Sequence, residues 1–467
     1  MGDLDAIFKS YDIRGLYPEQ IDSSTCALIG YGFACFLDEE FELNSLSDRK
    51  ILVGFDMRPS SGSLVEAFIS AITHMGIDVI SLGLCSTDML YFASGHFSAP
   101  GVIFTASHNP AEYNGMKLCK ENAVPIGEGS GLERIRSFAK NWESDTAGKN
   151  INYGPPGTLQ ELDVLEDFAN HVVGFVDPQK LKEFRVVTDT ANGMGGLLVP
   201  TVFSKIPPSV DVLYGELDGT FPNHPADPLN TENLVDLKER VLETSADIGL
   251  AFDGDADRVF LIDELGSPLS GSATTAIVAN GILEREPAAS VIHNLICSKS
   301  VKETVLAKGG TPIRSRVGHS HIKKLMAETG AAFAGEHSGH YYFRDNFCAD
   351  SGIIAALIVL EQMSLKNLPL SELRKNFETY SSTGEINFEI SDPVALLEVI
   401  SKRFKDEHQD ALDGLTVESK HWWFNVRPSN TEPLLRLNLE AKDETLLAEQ
   451  LHLVTELITD FQSNNSN

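Results

Sequence analysis

Gly101-Val-Ile-Phe-Thr-Ala-Ser-His-Asn-Pro110 is an apolar run that ends in a small, polar turn closed by a proline. The run predicts a buried strand, and the turn places Ser107 and His108 in the loop that follows it. A rigid strand end that opens into an accessible loop is a favourable position for a nucleophile. Ser, Asn and Pro also form ordinary β-turns, and taken alone this stretch is more typical of such a turn.

The segments around this stretch alternate between short apolar strands and helices. Strands are predicted at 51–55 and 78–82 with a helix between them, and a second helix near 87–94 leads into the opening stretch. Alternation of this kind predicts right-handed crossovers and a parallel sheet. The same layout recurs over 185–252 and over 290–329, without a fixed-period repeat of sequence.

The last hundred residues follow a different, α+β pattern that ends in an amphipathic helix over 444–461. We expect that helix to pack on its own sheet. The predicted fold class is α/β, with three similar mixed or parallel-sheet α/β domains and a smaller C-terminal α+β domain. A chain of 467 residues is long enough for three or four domains of about 100–200 residues each. The predicted domains span 1–150, 151–262, 263–375 and 376–467.

The composition excludes several classes of function. With 67 acidic against 37 basic residues the net charge is −30, which disfavours nucleic acids and anionic membranes as partners. The six cysteines contain no C-x-x-C pair, which argues against a zinc site or a disulfide framework. The first residues lack a signal peptide or lipidation motif, and the longest apolar runs are shorter than the ~20 residues of a membrane helix. We therefore expect a soluble, cytoplasmic protein.

Phe252-Asp-Gly-Asp-Ala-Asp-Arg258 places three aspartates at alternate positions between two apolar strands. Such carboxylates repel one another, and a hard divalent cation is the usual way to offset that repulsion. A polar surface turn is the simplest alternative. A calcium-binding EF-hand loop is a sharper one, because the aspartates and Glu264 fall at its ligand positions. Arg258 stands where that loop needs glycine, and strands flank it in place of helices, so a Mg²⁺ site with few protein ligands fits better.

Two further loops carry groups suited to a phosphorylated sugar. Asn425-Val-Arg-Pro-Ser-Asn-Thr-Glu-Pro433 offers a guanidinium, hydroxyls and an amide that can grip a phosphate, although Asx or Ser/Thr turns use the same residues. Gly335-Glu-His-Ser-Gly-His340 offers a carboxylate, imidazoles and a hydroxyl, a mixture of donors and acceptors that suits sugar hydroxyls.

The four loops, in this order and with this spacing, resemble the signature loops of the α-D-phosphohexomutase family over the whole chain. His337 and Ser429-Asn430 resemble the phosphomannomutase/phosphoglucomutase branch, since members acting on glucosamine phosphate more often have Gln and Ser-Gly at these places. Lesser motifs of the family resemble four further stretches: Tyr11-Asp-Ile-Arg-Gly15, Tyr113-Asn-Gly-Met-Lys117, Phe221-Pro-Asn-His-Pro225 and Val317-Gly-His-Ser320.

The resemblance implies a phosphoserine enzyme whose domains surround a central cleft. Ser107 would carry the phosphoryl group, and Ser107, Asp253, Asp255 and Asp257 would hold Mg²⁺. The cations and proton-transfer groups beside Ser107 would be Arg14, His108, Lys117 and Arg258. The substrate-binding residues would be Tyr11, His319, Glu336, Ser338, His340, Arg427, Ser429, Asn430 and Thr431.

The reaction implied by the resemblance is the interconversion of mannose 6-phosphate and mannose 1-phosphate through a 1,6-bisphosphosugar, with a sugar 1,6-bisphosphate as activator. The enzyme would be a monomer or a homodimer. Glucose phosphates are an alternative main substrate. Remoter alternatives are a sugar phosphatase, if water reaches phospho-Ser107, and a catalytically silent sugar-phosphate or calcium sensor. In one departure from several relatives, Ile296 replaces a substrate-contacting lysine, and Lys299 could substitute for it.

Overall fold

The computed structural model of the protein describes residues 3–40, 50–144, 155–428 and 434–465. In these ranges four sheets follow one another along the chain. Three of them mix parallel and antiparallel pairs and carry helices in their connections, and the last is antiparallel throughout. This arrangement confirms the predicted fold class.

The first sheet contains the strand of the opening stretch. Its strands are β1 (Ile13–Leu16), β2 (Lys50–Phe55), β3 (Asp78–Leu84), β4 (Gly101–Phe104), β5 (Tyr113–Cys119), β6 (Pro125–Ile126) and β7 (Leu159–Glu161). Its helices are α1 (Leu4–Ile7), α2 (Ser23–Glu40), α3 (Ser61–His74), α4 (Thr87–Phe97) and α5 (Leu132–Ser144). The spatial order is β1-β5-β4-β2-β3-β7, and β6 pairs with β5.

The central strand β4 is buried on both faces, which explains why its sequence is a continuous apolar run. Val102 and Phe104 pack into a core with α2 and α3, whereas Ile103 points to the opposite face and joins a core with α4. As predicted, β2 pairs in parallel with β3 and β4. β5 instead returns antiparallel to β4, so the loop that joins them folds back over the strand end.

The expected boundary between the first two domains, at residue 150, lies outside the described residues. β7, which follows it, pairs in parallel with β3 and so extends the first sheet. The domain boundaries stay a prediction.

The second sheet has the order β11-β10-β8-β9. Its elements are β8 (Arg185–Asp189), β9 (Ser209–Leu213), β10 (Ile248–Phe252), β11 (Val259–Asp263), α6 (Leu165–Val173), α7 (Gly195–Phe203) and α8 (Val235–Thr244). β10 and β11 are fully buried and form an antiparallel pair, so the three aspartates lie in the loop between two core strands. This confirms the strands predicted on both sides of that loop.

The third sheet has the order β13-β12-β14-β15-β16. Its strands are β12 (Ser290–Asn294), β13 (Thr311–Ser315), β14 (Phe333–Gly335), β15 (Tyr341–Phe343) and β16 (Ala349–Asp350). Its helices are α9 (Gly271–Arg285), α10 (Lys299–Ala307), α11 (His319–Thr329), α12 (Gly352–Lys366) and α13 (Leu370–Leu373). The motif Gly335-Glu-His-Ser-Gly-His340, called the sugar loop below after its predicted ligand, therefore forms the turn between β14 and β15.

The fourth sheet has the order β17-β21-β20-β19-β18. Its elements are β17 (Ser381–Glu389), β18 (His408–Asp410), β19 (Leu415–Glu418), β20 (Trp422–Pro428), β21 (Leu434–Ala441), α14 (Pro393–Arg403) and α15 (Glu444–Asn465). Val454 and Ile458 of α15 belong to the same core as the strands, which confirms that this helix packs on its own sheet. Single-turn 3₁₀ helices occupy Glu121–Ala123, Pro178–Lys180, Thr231–Leu234, Arg344–Asn346 and Arg374–Asn376.

One hydrophobic core joins the first three domains and so fixes their loops relative to one another. It contains Phe92 of α4, Phe168 of α6, Leu198 of α7 and Ile354 of α12, all at most 4% exposed. Burial of each side chain of this size stabilises the folded state by roughly 1.5–3 kcal/mol relative to leaving it exposed. Within the described ranges no single helix is long and apolar enough to span a membrane. That length and apolar composition are reached when two consecutive helical segments that meet at a bend of 86°, Gly352–Lys366 and Leu370–Asn376, are taken together.

Candidate active site

Ser107 lies three residues beyond β4 and is 5% exposed. Its backbone has a φ of +50°, a left-handed conformation that is uncommon outside glycine. The Ser107 amide donates a hydrogen bond of 2.9 Å to Thr105 Oγ1, which stabilises the turn. Its hydroxyl donates a hydrogen bond of 2.7 Å to Asp253 Oδ2 of the second domain, so this contact crosses the boundary between the domains. The predicted nucleophile and the predicted metal loop therefore meet.

Arg58 supports the Ser107 loop from beneath and was not found from the sequence. Its guanidinium donates to four backbone carbonyl groups of the loop at 2.6 to 3.0 Å. The accepting carbonyls belong to Ser107, Asn109, Pro110 and Tyr113. The side chain is fully buried and is paired with Asp56 at 3.1 Å. Arg58 is the third residue after β2, in Asp-Met-Arg, and an arginine close to the end of a buried strand was the available signal.

We expect the variant Arg58→Met to lose about 3–5 kcal/mol of unfolding free energy, because it leaves Asp56 as an unpaired buried carboxylate. Its kcat should also fall, since the loop loses the donor that holds four carbonyls. Denaturant titration and steady-state kinetics measure the two effects. Arg134→Met is the control, because Arg134 is 45% exposed and pairs with Glu39 and Glu40 at the surface. If both variants lost the same small amount of stability, the supporting role of Arg58 would be wrong.

The three aspartates of the loop between β10 and β11 converge in a buried cluster. Asp253 and Asp255 are 0% exposed and Asp257 is 1% exposed. One oxygen of each lies within 4.8 Å of the others, close enough to share a metal ion. Among the described residues, Asp255 Oδ1 and Asp257 Oδ1 have no hydrogen-bond partner. Buried carboxylate oxygens rarely stay unpaired, so these residues fit a bound divalent cation.

The pKa values reflect this crowding of negative charge. Burial raises the pKa of Asp253 to about 8, with Arg258 opposing the shift and the two other aspartates adding to it. Burial also acts to raise the pKa of Asp255, but Lys117 and Thr87 outweigh it and hold that pKa well below its usual range. Asp253 therefore resists ionisation more than Asp255 does, and a bound cation would favour its charged form.

Two predicted cations contact the aspartates directly. Lys117 Nζ on β5 donates to Asp255 Oδ2 at 2.7 Å and to Asp257 Oδ2 at 2.6 Å. Arg258 Nη2 lies 2.8 Å from Asp253 Oδ2 and 3.4 Å from Ser107 Oγ. Two cations against three carboxylates leave one negative charge, so a phosphorylated Ser107 would need a further cation close by.

The surroundings of His108 favour its neutral form. Burial lowers its pKa well below the usual value, and Arg258 and Arg14 lower it further. Its Nδ1 lies 2.6 Å from Arg258 Nη2, and because a guanidinium can only donate, Nδ1 accepts and the ring proton is assigned to Nε2. Arg14 reaches the Ser107 loop through Asn109 Oδ1, and it also pairs with Asp12.

Residues outside the predicted set also hold the site together. Thr87 at the start of α4 donates to Asp255 Oδ2 at 2.6 Å, and its amide donates to the Asp255 carbonyl at 3.1 Å. Thr87 carries no motif in the sequence, because its role arises from contact between two domains. Gly254 also depends on contact between the two domains, because a Cβ at this position would lie 2.5 Å from the Ser107 carbonyl oxygen.

The sugar loop is attached to the metal loop by backbone and side chains. Arg258 and His340 form an antiparallel β-bridge, and His340 Nε2 lies 3.9 Å from Asp257 Oδ1. His340 Nδ1 lies 2.9 Å from Ser338 Oγ. Glu336 is 2% exposed and accepts a 2.6 Å hydrogen bond from Tyr342.

Tyr11 and His319 meet across the boundary between the first and third domains. Their ring centroids are 5.2 Å apart in an edge-to-face arrangement. The ring of Tyr11 also covers Gly318, where a Cβ would lie 2.6 Å from the Tyr11 hydroxyl oxygen. A φ of +121° at this position independently favours glycine. The structure thus brings the two residues together, and their binding of substrate stays a prediction.

The fourth loop is described only at its start. Arg427 on β20 is 5% exposed, and its Nη2 lies 3.0 Å from Glu385 Oε2. Ser429, Asn430 and Thr431 lie outside the described residues.

Lys299 contacts the C-terminal domain. Its Nζ donates to the Ser419 carbonyl at 2.8 Å and pairs with Glu418 at 3.1 Å. Ile296 forms an apolar cluster with Leu295 and Trp423 across the same domain boundary. In this structure both positions join the third and fourth domains.

Known proteins match nearly the whole length of the chain. Models of the four phosphoglucomutase/phosphomannomutase domains match in order: alpha/beta/alpha domain I over residues 5–145, domain II over 166–266, domain III over 270–380 and the C-terminal domain over 385–457. The phosphomannomutase of Methanocaldococcus jannaschii is 37% identical, with 98% of each chain covered. The phosphomannomutase of Salmonella typhimurium is 34% identical, with 95% of this chain and 96% of the relative covered.

Solved structures agree with the fold. A phosphoglucomutase/phosphomannomutase family protein from Burkholderia thailandensis superimposes with a TM-score of 0.87 at 29% identity, with 98% of each chain covered. An Aspergillus fumigatus N-acetylphosphoglucosamine mutase variant, solved with glucose 1,6-bisphosphate, gives a TM-score of 0.61 at 14% identity, covering 98% of this chain and 96% of the other.

Proposed function

The chain belongs to the phosphoglucomutase/phosphomannomutase family and is an isomerase of the phosphohexomutase type, and we propose that it interconverts mannose 6-phosphate and mannose 1-phosphate. The observation that carries the proposal is the 2.7 Å hydrogen bond from Ser107 Oγ to Asp253 Oδ2 within the buried aspartate cluster. A phosphoryl group on Ser107 would therefore lie where two domains combine a nucleophile, three carboxylates and two cations.

In the proposed cycle, phospho-Ser107 passes its phosphoryl group to a hydroxyl of the sugar phosphate, so that the bond from phosphorus to Oγ breaks as a bond to the sugar oxygen forms. The proton of that hydroxyl ends on the freed Ser107 Oγ. The product is a 1,6-bisphosphosugar. The bisphosphosugar then reverses its orientation in the site, its other phosphoryl group is transferred to Ser107, and the isomeric monophosphate leaves. A sugar 1,6-bisphosphate added from solution would load Ser107 by the same step. Positioning and charge neutralisation account for most of the catalysis of such a transfer.

Two cationic side chains of this chain, together with a bound Mg²⁺, would neutralise the charge on the transferred phosphoryl group. Mg²⁺ held by Asp253, Asp255 and Asp257 would offset negative charge on the phosphoryl oxygens. Arg258, 3.4 Å from Ser107 Oγ, is placed to donate to those oxygens. Lys117 keeps its proton, because Asp255 and Asp257 raise its pKa well above the usual value although burial opposes them.

The other predicted residues would hold the substrate. Glu336, Ser338 and His340 would form hydrogen bonds with the sugar hydroxyls. Tyr11 and His319 would help to position the sugar. Arg427, Ser429, Asn430 and Thr431 would bind the phosphate that is distant from Ser107.

The substrate is tested by a coupled assay that compares mannose 1-phosphate, glucose 1-phosphate and glucosamine 1-phosphate after priming with a bisphosphate. We expect the highest kcat/KM for mannose 1-phosphate, in agreement with the activity named for the relatives. A higher kcat/KM for glucose 1-phosphate would make phosphoglucomutase the main activity. Release of inorganic phosphate faster than isomer formation would make the protein a phosphatase instead.

A further inference from the structure

Glu385 lies between two arginines at the predicted phosphate site. It belongs to β17, and its Oε2 lies 3.0 Å from Arg427 Nη2 while its Oε1 lies 3.2 Å from Arg436 Nη1. The side chain of Glu385 is 27% exposed, that of Arg427 6% and that of Arg436 24%. A single carboxylate therefore bridges two guanidinium groups in a partly desolvated setting, where such contacts are stronger than at an open surface.

The backbone is shaped to bring this carboxylate between the arginines. Arg427 and Arg436 are directly opposite one another on β20 and β21, a placement in which like charges repel. The pairing of β17 with β21 shifts register between Ser382 and Glu385, and Gly384 there has a φ of +68°. Irregularities of this kind re-aim the side chain that follows them. The result is that Glu385 contacts both cations.

The carboxylate of Glu385 lowers the positive charge of this cluster below that of the two arginines alone. Two guanidinium groups and one carboxylate give a net charge of +1, whereas the arginines alone would give +2. A phosphate monoester at pH 7 carries about −1.5 to −2. The carboxylate of Glu385 already binds the two arginines that an incoming phosphate would bind. It therefore weakens the electrostatic attraction between the site and the phosphate.

The proposed mutase cycle requires a phosphate site that also releases its ligand. The site must hold one phosphate of the monophosphate, let the bisphosphosugar turn over, and then hold the other phosphate. Binding that is equally tight in every state lowers KM without raising kcat, and differences in affinity arise mostly from the rate of release. A site of excess positive charge would therefore retain the intermediate in one orientation.

We propose that Glu385 is an affinity-setting residue that competes with the substrate phosphate for Arg427 and Arg436 and so speeds release of the bisphosphosugar. This inference rests on the proposed function, since only a cycle with two phosphate orientations requires the release step. Glu385 does not contact the reacting atoms, and its effect is exerted through the two arginines.

The variant Glu385→Gln tests the inference, because it removes the charge and keeps the shape of the side chain. We expect KM for mannose 1-phosphate to fall by about fivefold and kcat to fall with it, since release becomes slower. The difference in KM from the wild type should shrink as ionic strength rises. A rise in KM would overturn the inference, because it would show that Glu385 serves only to orient Arg427.

Two further variants make the result specific. Glu378→Gln also removes a carboxylate from an arginine, Arg374, but it leaves the contacts of Glu385 with Arg427 and Arg436 in place, and its KM should stay at the wild-type value. Glu385→Asp withdraws the charge by one methylene and should give a KM between those of Glu385→Gln and the wild type. It also serves if Glu385→Gln fails to fold. A raised KM for Glu385→Asp, or a lowered KM for Glu378→Gln, contradicts the inference.

Direct binding separates this inference from the proposed function. Calorimetry with mannose 1-phosphate on Ser107→Ala and on Ser107→Ala/Glu385→Gln compares affinities without turnover. Tighter binding to the double variant is expected. Equal or weaker binding would overturn the role of Glu385 even if the wild type is an active mutase. Absence of mutase activity in the wild type would instead overturn the proposed function.

Discussion

Replacing Ser107 with alanine is expected to lower mutase kcat by about 10⁴-fold or more, because alanine has no oxygen to carry the phosphoryl group. The fold should be retained. Alanine can adopt the same φ of +50° as serine at no greater cost, and Asp253 keeps its contacts with Arg258 when the hydroxyl is lost. The coupled assay with bisphosphate priming measures the effect on kcat, and a thermal melt verifies the fold.

Ser98→Ala is the matched control for this experiment. Ser98 is in the same domain, has a φ of +47° at the end of α4, and is exposed and remote from the aspartate loop. Its variant should keep wild-type kcat. Activity of Ser107→Ala comparable to that of Ser98→Ala would show that the phosphoryl group is carried elsewhere.

Replacing Asp255 with alanine is expected to abolish metal-dependent activity, with a fall in kcat of about 10³-fold or more at saturating Mg²⁺. The loop loses one of three converging carboxylates, including the oxygen Oδ1 that has no partner within the described part of the chain. The metal-free fold should persist, because removal of the carboxylate relieves repulsion and Lys117 still pairs with Asp257 at 2.6 Å. Calorimetric titration with Mg²⁺ and a thermal melt measure metal affinity and fold separately.

Chelation provides the comparison for Asp255→Ala. Treatment of the wild type with EDTA should reproduce the loss of activity, and added Mg²⁺ should restore it in the wild type but not in the variant. A variant that binds Mg²⁺ with wild-type affinity would exclude Asp255 as a ligand. Global unfolding of the variant would show instead that its bonds to Lys117 and Thr87 support the fold.

The parts of the site that were predictable from the sequence lie in loops at the ends of buried strands. β4 and β10 are continuous apolar runs, so their ends and the polar residues that follow could be located from pattern alone. Which loops meet was given by the family resemblance, since the bond from Ser107 to Asp253 depends on packing between two domains.

Residues that act through partners distant in sequence were not predictable in this way. Arg58 holds backbone carbonyls, which carry no side-chain signal, and Thr87 contacts Asp255 only because α4 packs against the second domain. Glu385 is one acidic residue among 67, and its position between two arginines depends on a register shift in β17. The contacts of Lys299 were likewise not visible in the sequence, because its ammonium binds Ser419 and Glu418 of another domain; its role as a substitute for the lysine replaced by Ile296 stays a prediction.

Transfer of label through Ser107 can be followed in one experiment. The protein is loaded with a hexose 1,6-bisphosphate carrying radioactive phosphate, and the labelled peptide is identified before and after unlabelled mannose 1-phosphate is added. We expect the label on the peptide that contains Ser107, and we expect it to leave at a rate no slower than kcat. Label on any other residue, or label that stays on Ser107 while isomer forms, would contradict a phosphoserine mechanism.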